Sequence, residues 1–365
     1  MLLVEEGWHA TLYLARSLEA AGYAVTVLTA NGTTASCRHR TVRWMSGPSI
    51  GSAALVTHLE RLLTETAFDH VIPLTEAAMA QLWATPGRCS DRLFPTVERW
   101  QQLLVLDKHA LVEHLRTRGI PVPRQLRIYL AFDREAAIRE LGLPLVVKGS
   151  TGSAGRRVRI VERRDELDEV LQRASALGGD WAVQEFLSGP TYLVGGVFRA
   201  GEPLRLYGAE KLEQYPAVTG GAIALRSTRE RELVELGTRA ARELQWTGFA
   251  SADVMRGRDG RLRLLEINPR LWGSLAGARS AGVDLFAPFA ELLAGGSPKA
   301  ELDFAADDEC WIFPRYLNSA HHRNLAGARR ALRDLFGDQG RDWLNPAFAI
   351  HIMRRLYSMP RMSGL

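Results

Sequence analysis

Three oxygen-bearing side chains, Asp253, Glu266 and Asn268, flank an Asp259-Gly260 dipeptide in the stretch GFASADVMRGRDGRLRLLEINPR. Asp-Gly favours a two-residue hairpin turn. With that turn Arg258 faces Arg261 and, counting outward, Asp253 faces Glu266. Asn268 lies two residues past Glu266, so it projects from the same face of the strand. Two carboxylates directly opposite each other repel, and the register therefore predicts a cation between them. Hard oxygen ligands, few in number and with room left for phosphate oxygens, suit magnesium bound together with a nucleotide. A surface hairpin with scattered charges is the plain alternative for any one acid; the set of three, ending in Asn-Pro-Arg, favours the metal.

About a hundred residues earlier, LPLVVK reads as a buried strand ending in Lys148, followed by GSTGSAG and a second strand, RRVRIV. Glycines remove the Cβ obstacle and let backbone N–H groups approach phosphate oxygens. The order is not that of a P-loop, whose glycines precede Gly-Lys-Ser/Thr and a helix. Here the glycine-rich loop joins strand to strand, with Lys148 supplying positive charge beside it.

Positioning these groups requires an α/β chain. LLVEE, a helix over 9–21 ended by Gly22, YAVTVLTA, a helix around HLERLLTET and DHVIPLT alternate as a parallel sheet covered by helices does. No G-x-G-x-x-G follows the first strand, so this region reads as a degenerate nucleotide fold. Asp107 caps a helix over 107–119 and Gly119 ends it; Pro121 and Pro123 force an extended linker. Helices are predicted near 133–141, 165–177 and 229–244, strands at WAVQEFL, YLVGGVFR and LRLYGAEKL, and a loop over EQYPAVTGGAIAL. The final fifty residues read as helical, with Asn345 and Pro346 suited to a cap and first turn ahead of AFAIHIMRRLYS.

The 365 residues suffice for two or three domains, and 46% hydrophobic with 24% charged residues is an ordinary globular balance. No apolar run reaches membrane-spanning length, and the start MLLVEEGWHATLYLARS lacks a signal peptide's pattern. Three scattered cysteines (Cys37, Cys89, Cys310) read as reduced thiols, and the nine histidines form no metal motif. The net charge of +5 resides in the stretch from Arg315 onward, whose nine arginines and three aspartates leave the remainder near neutral. That stretch lacks the groove-reading motif or interleaved aromatics of a nucleic-acid binder.

In order along the chain, DKHALVEHLRTRGIPVP, PLVVKGSTGSAG, VQEFLSGPTY and ADVM…LLEINPR resemble the ATP-grasp superfamily over roughly residues 1–300. The segments EKLEQYPAVTGG and NPRLWGSL are similar to those of its carboxylate–amine ligase-like members. The resemblance implies a Rossmann-like pre-ATP-grasp domain (1–105), an ATP-grasp N-lobe with a glycine-rich flap (106–186), a C-lobe with the metal site (187–300) and a helical basic extension (301–365). It implies that Lys108 and Lys148 bind ATP phosphates. The flap residues Gly149, Ser150, Gly152, Ser153 and Gly155 would close over them, and Lys211 would approach the γ-phosphate. Gln184, Glu185, Phe186 and Leu187 would form the hinge that reads adenine. Asp253, Glu266 and Asn268 would hold one or two magnesium ions, and Arg270 would neutralise an acyl phosphate. One departure stands out: Thr191 occupies the place of an acid that binds ribose in many members.

The implied function is an ATP- and magnesium-dependent ligase that joins a small carboxylic acid to an amine through an acyl phosphate, releasing ADP and phosphate. The product would be an amide or peptide bond in a natural product or cell-surface component. Residues 209–224 and 271–276 would shape the acceptor side. A kinase without an amine acceptor, or a nucleotide-binding regulatory protein without turnover, are the alternatives. The expected partners are small-molecule carboxylate and amine substrates, with no nucleic acid and no membrane span; a homodimer is left open, and the expected location is cytoplasmic.

Overall fold

The computed structural model describes residues 1–5, 10–30, 42–85, 87, 89–129, 132–152, 155 and 157–312. The flap residue Ser153, the arginine-rich stretch and the Asn345-Pro346 cap lie outside them.

The first sheet is built from β1 (Leu2–Glu5), β2 (Thr26–Ala30), β3 (Arg43–Gly47) and β4 (Val71–Pro73), all parallel, in the order β3-β2-β1-β4. Its helices are α1 (Ala10–Ala20), α2 (Ala53–Glu65) and α3 (Glu76–Trp83). LLVE is apolar on successive residues because both faces are covered. Leu3 packs with Leu14 and Leu18 of α1, while Leu2 and Val4 pack with Leu55 and Leu59 of α2. The strand order reverses at β1, where ligand crevices open in such sheets. Glu76 opens α3 just past the carboxyl end of β4, behind Thr75, whose side chain accepts from the Ala78 N–H at 3.2 Å. β3 was not foreseen, and β2 is shorter than YAVTVLTA.

After α4 (Arg99–Leu106), α5 (Lys108–Thr117) begins on the predicted cap: the Asp107 carboxylate accepts from the His109 and Ala110 N–H groups at 2.9 and 3.1 Å. β5 (Gln125–Arg127), α6 (Arg134–Leu141), β6 (Leu145–Gly149), β7 (Val158–Val161), α7 (Arg164–Leu177) and β8 (Trp181–Glu185) come after it. Their strands form an antiparallel sheet in the order β5-β8-β6-β7. The glycine-rich loop joins β6 to β7, as predicted. One face of this sheet packs Leu145, Val147 and Val183 against Leu141 of α6 and Leu167 and Val170 of α7.

β9 (Thr191–Arg199), β10 (Glu202–Tyr215), β11 (Gly221–Ser227), α8 (Arg231–Glu243), β12 (Gly248–Arg256) and β13 (Leu262–Asn268) come next. Beyond them lie α9 (Ala276–Ser280), α10 (Phe286–Leu293) and β14 (Glu309–Trp311). The sheet order is β13-β12-β9-β10-β11-β14. On one face Leu233 and Leu236 of α8 and Leu111 and Leu115 of α5 meet Val194, Val254 and Leu264. On the other, Leu193, Val197 and Tyr207 meet Ala278 of α9, Phe289 of α10 and Leu14 of α1, so the first and third sheets share a core. Two expectations change here. EQYPAVTGGAIAL is mostly strand, since β10 runs to Tyr215 and β11 starts at Gly221. Residues 309–311, placed in a helical extension, instead add β14 antiparallel to the edge of β11.

Candidate functional site

Asp253 faces Glu266 across β12 and β13, the predicted register, but by a different route. The turn holds three residues: the Gly257 N–H donates to the Arg261 carbonyl at 2.9 Å, and Gly260 takes φ +78°. Arg261 therefore faces Gly257 rather than Arg258. A slip in register between Asp253 and Val254 leaves Leu265 without a cross-strand partner. This bulge re-aims the side chains beyond it. Leu264 and Ile267 both enter the same core although three residues apart, and Glu266 turns to the opposite face. In a straight strand Asp253 would face Leu265 and Glu266 would point into that core.

Around Glu266 the predicted groups assemble. Lys108, in the first turn of α5, donates to Glu266 Oε2 at 2.6 Å. Lys148, 7% exposed at the end of β6, donates to the Leu265 carbonyl at 3.3 Å, so the bulge gives this ammonium an acceptor. Lys211, from β10, pairs with Asp253 Oδ2 at 2.8 Å. Asn268 Nδ2 lies 3.4 Å from Glu266 Oε1. Arg270, just past β13, places Nη2 3.4 Å from Asn268 Oδ1 and donates through Nε to Glu76 at 2.7 Å. The cations that offset the paired carboxylates in this structure are thus lysines.

Charge and burial compete throughout. Burial alone would raise the Glu266 carboxyl, but Lys108, Lys148 and Lys211 together hold it well below the usual carboxylate range. Burial pushes the Lys148 ammonium down to about 8, with Lys108 adding to the fall and Glu266 opposing it. For Lys108 the paired Glu266 outweighs burial and raises the pKa. Arg270 and Lys108 outweigh burial at Glu76 and lower it.

Asp253, Glu266 and Asn268 offer oxygens from adjacent strands, a donor set that fits a hard divalent cation with positions left open. Among the described residues no three His, Cys, Asp or Glu side chains converge to form a metal site by themselves. The set has two carboxylates and an amide. Three lysines and Arg270 around it suit the oxygens of a polyphosphate.

The flap is anchored at its base. The Lys108 N–H donates to the Ser150 carbonyl at 3.1 Å and the Ser150 N–H to the Asp180 carbonyl at 2.9 Å. Gly152 and Gly155 have φ of +116° and +72°; a Cβ on Gly155 would sit 2.7 Å from the Thr219 carbonyl in the turn before β11. At the hinge, Gln184 is buried and Phe186 and Leu187 are half-buried. Glu185 pins the crossing chain instead of facing the lysines. Its carboxylate accepts from the Arg124 N–H and Nε at 3.0 and 2.9 Å, and its N–H donates to the Arg124 carbonyl. Thr191 is buried at the start of β9, two residues from Leu193, the register partner of Asp253, so it projects from the face that carries Asp253.

Glu76 escaped the sequence reading. The available signal was its place one turn after a parallel strand, at the carboxyl end of the sheet. The Leu265 carbonyl was hidden behind the bulge.

A model of the ATP-grasp domain matches residues 105–274. The D-alanine–D-alanine ligase of Ectopseudomonas mendocina is 34% identical over 179 residues, covering 45% of this chain and 55% of the relative. That of Desulforudis audaxviator is 34% identical over 181 residues, covering 45% and 58%. The chain thus spans little more than half the length of these curated relatives. The L-amino acid ligase from Bacillus licheniformis superposes with a TM-score of 0.62 at 19% identity, over 80% of this chain and 73% of that one. N5-carboxyaminoimidazole synthetase from Staphylococcus aureus gives 0.65 at 16% identity, over 82% and 78%. Among the described residues no helix is long and apolar enough to cross a membrane. Residues 105–274 of this chain are an ATP-grasp domain.

Proposed function

We propose that the chain is an ATP- and magnesium-dependent carboxylate–amine ligase, forming an amide or peptide bond by way of an acyl phosphate and releasing ADP and phosphate. The observation that carries this is Glu266, held between Lys108 and the Lys148 side of the site, with the Asp253–Lys211 pair opposite. Bound magnesium would supply Lewis-acid neutralisation of a transferring phosphoryl group. The chain's own residues do the rest. Lys108, Lys148 and Lys211 exchange carboxylate and carbonyl partners for phosphate oxygens, which frees Asp253, Glu266 and Asn268 to hold one or two cations. Arg270, steadied by Glu76, offers a guanidinium to the substrate carboxylate and to the charge that develops on it. The flap, hinge and Thr191 would take the nucleotide, and Gly155 seated against Thr219 would exclude water from the reactive acyl group.

The D-alanine–D-alanine and L-amino acid ligases that this chain resembles are named for amino-acid substrates, so acids bearing an amino group are the first class to try. A natural product or cell-surface component is the expected destination. The test is ADP release with magnesium-ATP across a matrix of carboxylic acids and amines, with products read by mass spectrometry. ADP release that needs both an acid and an amine, with a product lighter than their sum by one water, is the expected result. Release that needs only a phosphate acceptor, with a phosphorylated product, would replace the ligase with a kinase.

A further inference from the structure

At the end of the four-stranded sheet where the glycine-rich loop leaves β6, one row of residues crosses three strands. Gly149 on β6 is the register partner of Trp181 on β8, and its N–H donates to the Arg157 carbonyl on its other side at 2.9 Å. Leu145 and Val147 face the helices, so alternation puts Gly149, Trp181 and Arg157 on that same face. Trp181 is buried and Arg157 half-buried. The arginine side chain reaches across the bare glycine, and its guanidinium carbon lies 4.4 Å from the centroid of the Trp181 ring. Its Nη2 donates to the Gly178 carbonyl, which also accepts from Trp181 Nε1 at 3.1 Å. Its Nη1 lies 3.4 Å from Thr151 Oγ1, at the start of the loop.

A Cβ on Gly149 would sit 2.7 Å from Arg157 Nε, and the three atoms nearest to it all belong to Arg157. Across the row, a Cβ on Gly179 would sit 3.2 Å from Nη2. Lys148, one residue before Gly149, projects from the opposite face, where it donates to the Leu265 carbonyl. The missing side chain at 149 therefore makes a slot for the arginine, on the side away from the lysines. The backbone thus clasped is the one that holds them. Thr151 and the Gly178–Trp181 segment are tied together by Arg157, and between them the Ser150 N–H donates to the Asp180 carbonyl. The Ser150 carbonyl in turn accepts from the N–H of Lys108.

We infer that Arg157 is a positioning residue for the triphosphate: from behind the sheet it fixes residues 149–151, and through them the backbone of Lys148 and Lys108. Gly149 is its counterpart, a glycine because the guanidinium must cross it and not because phosphate must approach it. The inference rests on the nucleotide reading proposed above and adds a residue that touches neither nucleotide nor substrate.

The test is calorimetric binding of a non-hydrolysable ATP analogue and of inorganic triphosphate to the full chain with magnesium, with urea unfolding of each variant alongside. Arg157→Ala should weaken both ligands about tenfold, the worth of one hydrogen bond at the phosphates. Arg157→Lys, which keeps a donor for the Gly178 carbonyl, should recover part of that loss. Gly149→Ala should weaken both ligands by about as much as Arg157→Ala, yet add no further loss in the Arg157→Ala background, since the Cβ then has no guanidinium to meet. A folded Arg157→Ala variant with wild-type affinities and only a lower urea midpoint would make the clasp a structural brace and overturn the inference. So would a full further loss from Gly149→Ala in the Arg157→Ala background, which would return the glycine to phosphate approach. Should Arg157→Ala not fold, unchanged affinities in Arg157→Lys overturn the inference alone. A wild type that binds neither the ATP analogue nor triphosphate overturns the nucleotide reading itself, and the inference with it.

Discussion

Lys108 and Lys211 sit on the carboxylates that a divalent cation would need, at 2.6 Å from Glu266 and 2.8 Å from Asp253. On the function proposed above, a cation would enter as the lysines leave, and they would leave when phosphate oxygens receive them. Lys108→Met should therefore raise the nucleotide-free affinity for Mn2+, a spectroscopically visible stand-in for magnesium, by on the order of tenfold. It should weaken nucleotide binding at the same time. Electron paramagnetic resonance titration reads the first effect, and unchanged or weaker Mn2+ binding would mean that the lysine does not compete with metal. His109 gives a pH signature. Burial and Lys148 push its pKa down to about 4, against about 6.5 in an unfolded chain. Between those values the unfolded chain binds more protons, so stability falls as the pH drops through that window. The loss on reaching pH 4 is on the order of 3 kcal/mol. His109→Leu should remove that slope from urea-unfolding stabilities measured between pH 6.5 and 4; parallel curves would contradict a buried neutral ring. At this scale the nearness of Asp253, Glu266 and Asn268 was legible because strand alternation puts Asn268 on the face of Glu266 and the hairpin brings Asp253 opposite. Glu76 was not, since its partner Arg270 lies 194 residues away in sequence and no local pattern links them.

Between elements, the hairpin carries a spare residue. Deleting one residue from a strand ordinarily flips every side chain beyond it. Deleting Leu265 should instead remove the bulge and leave Leu264, Glu266 and Ile267 on the faces they now occupy. The deletion variant should unfold cooperatively within about 2 kcal/mol of the wild type and still bind Mn2+ with nucleotide, as thermal melts and metal titration would show. Failure to fold would mean that the bulge is part of the sheet's packing rather than an inserted residue. The two errors of the sequence reading, a turn one residue too short and a bulge not foreseen, cancel at Asp253 and Glu266, which is why the register emerged correctly. Strand β10 was cut short at Leu212 because Glu213 and Gln214 interrupt its apolar alternation, and its register to β11 shifts twice between Lys211 and Gln214. β14 is three residues in a polar setting, too short for a periodic signal.

In the whole molecule, three sheets each send side chains to one place: Glu76 from beside the parallel sheet, Lys148 from the second, and Lys211, Asp253 and Glu266 from the third. Glu76–Arg270 ties the first to the third at 2.7 Å. Glu76→Gln should lower stability by about 1–3 kcal/mol at pH 7. Because Arg270 holds the Glu76 carboxyl below its ordinary value, that contribution is present above pH ~4.5 and is lost as the pH falls through the lowered folded-state value. Urea midpoints of wild type and variant should converge in acid; a constant gap would point to packing rather than charge. The alternating βαβ rhythm made the parallel sheet legible, and the ordered motifs made the clamp legible. How the sheets share the core of Leu14, Leu193 and Phe289 was not, because such contacts join distant segments. The central claim, that this assembly activates a carboxylate, is tested most directly by incubating the chain with magnesium-ATP, pooled carboxylic acids and hydroxylamine, beside Glu266→Gln. Hydroxamate and ADP formed in step by the wild type, and absent from a folded Glu266→Gln variant, is the predicted result. ATP binding with neither ADP nor hydroxamate across a broad acid pool, or full activity in the variant, would contradict it.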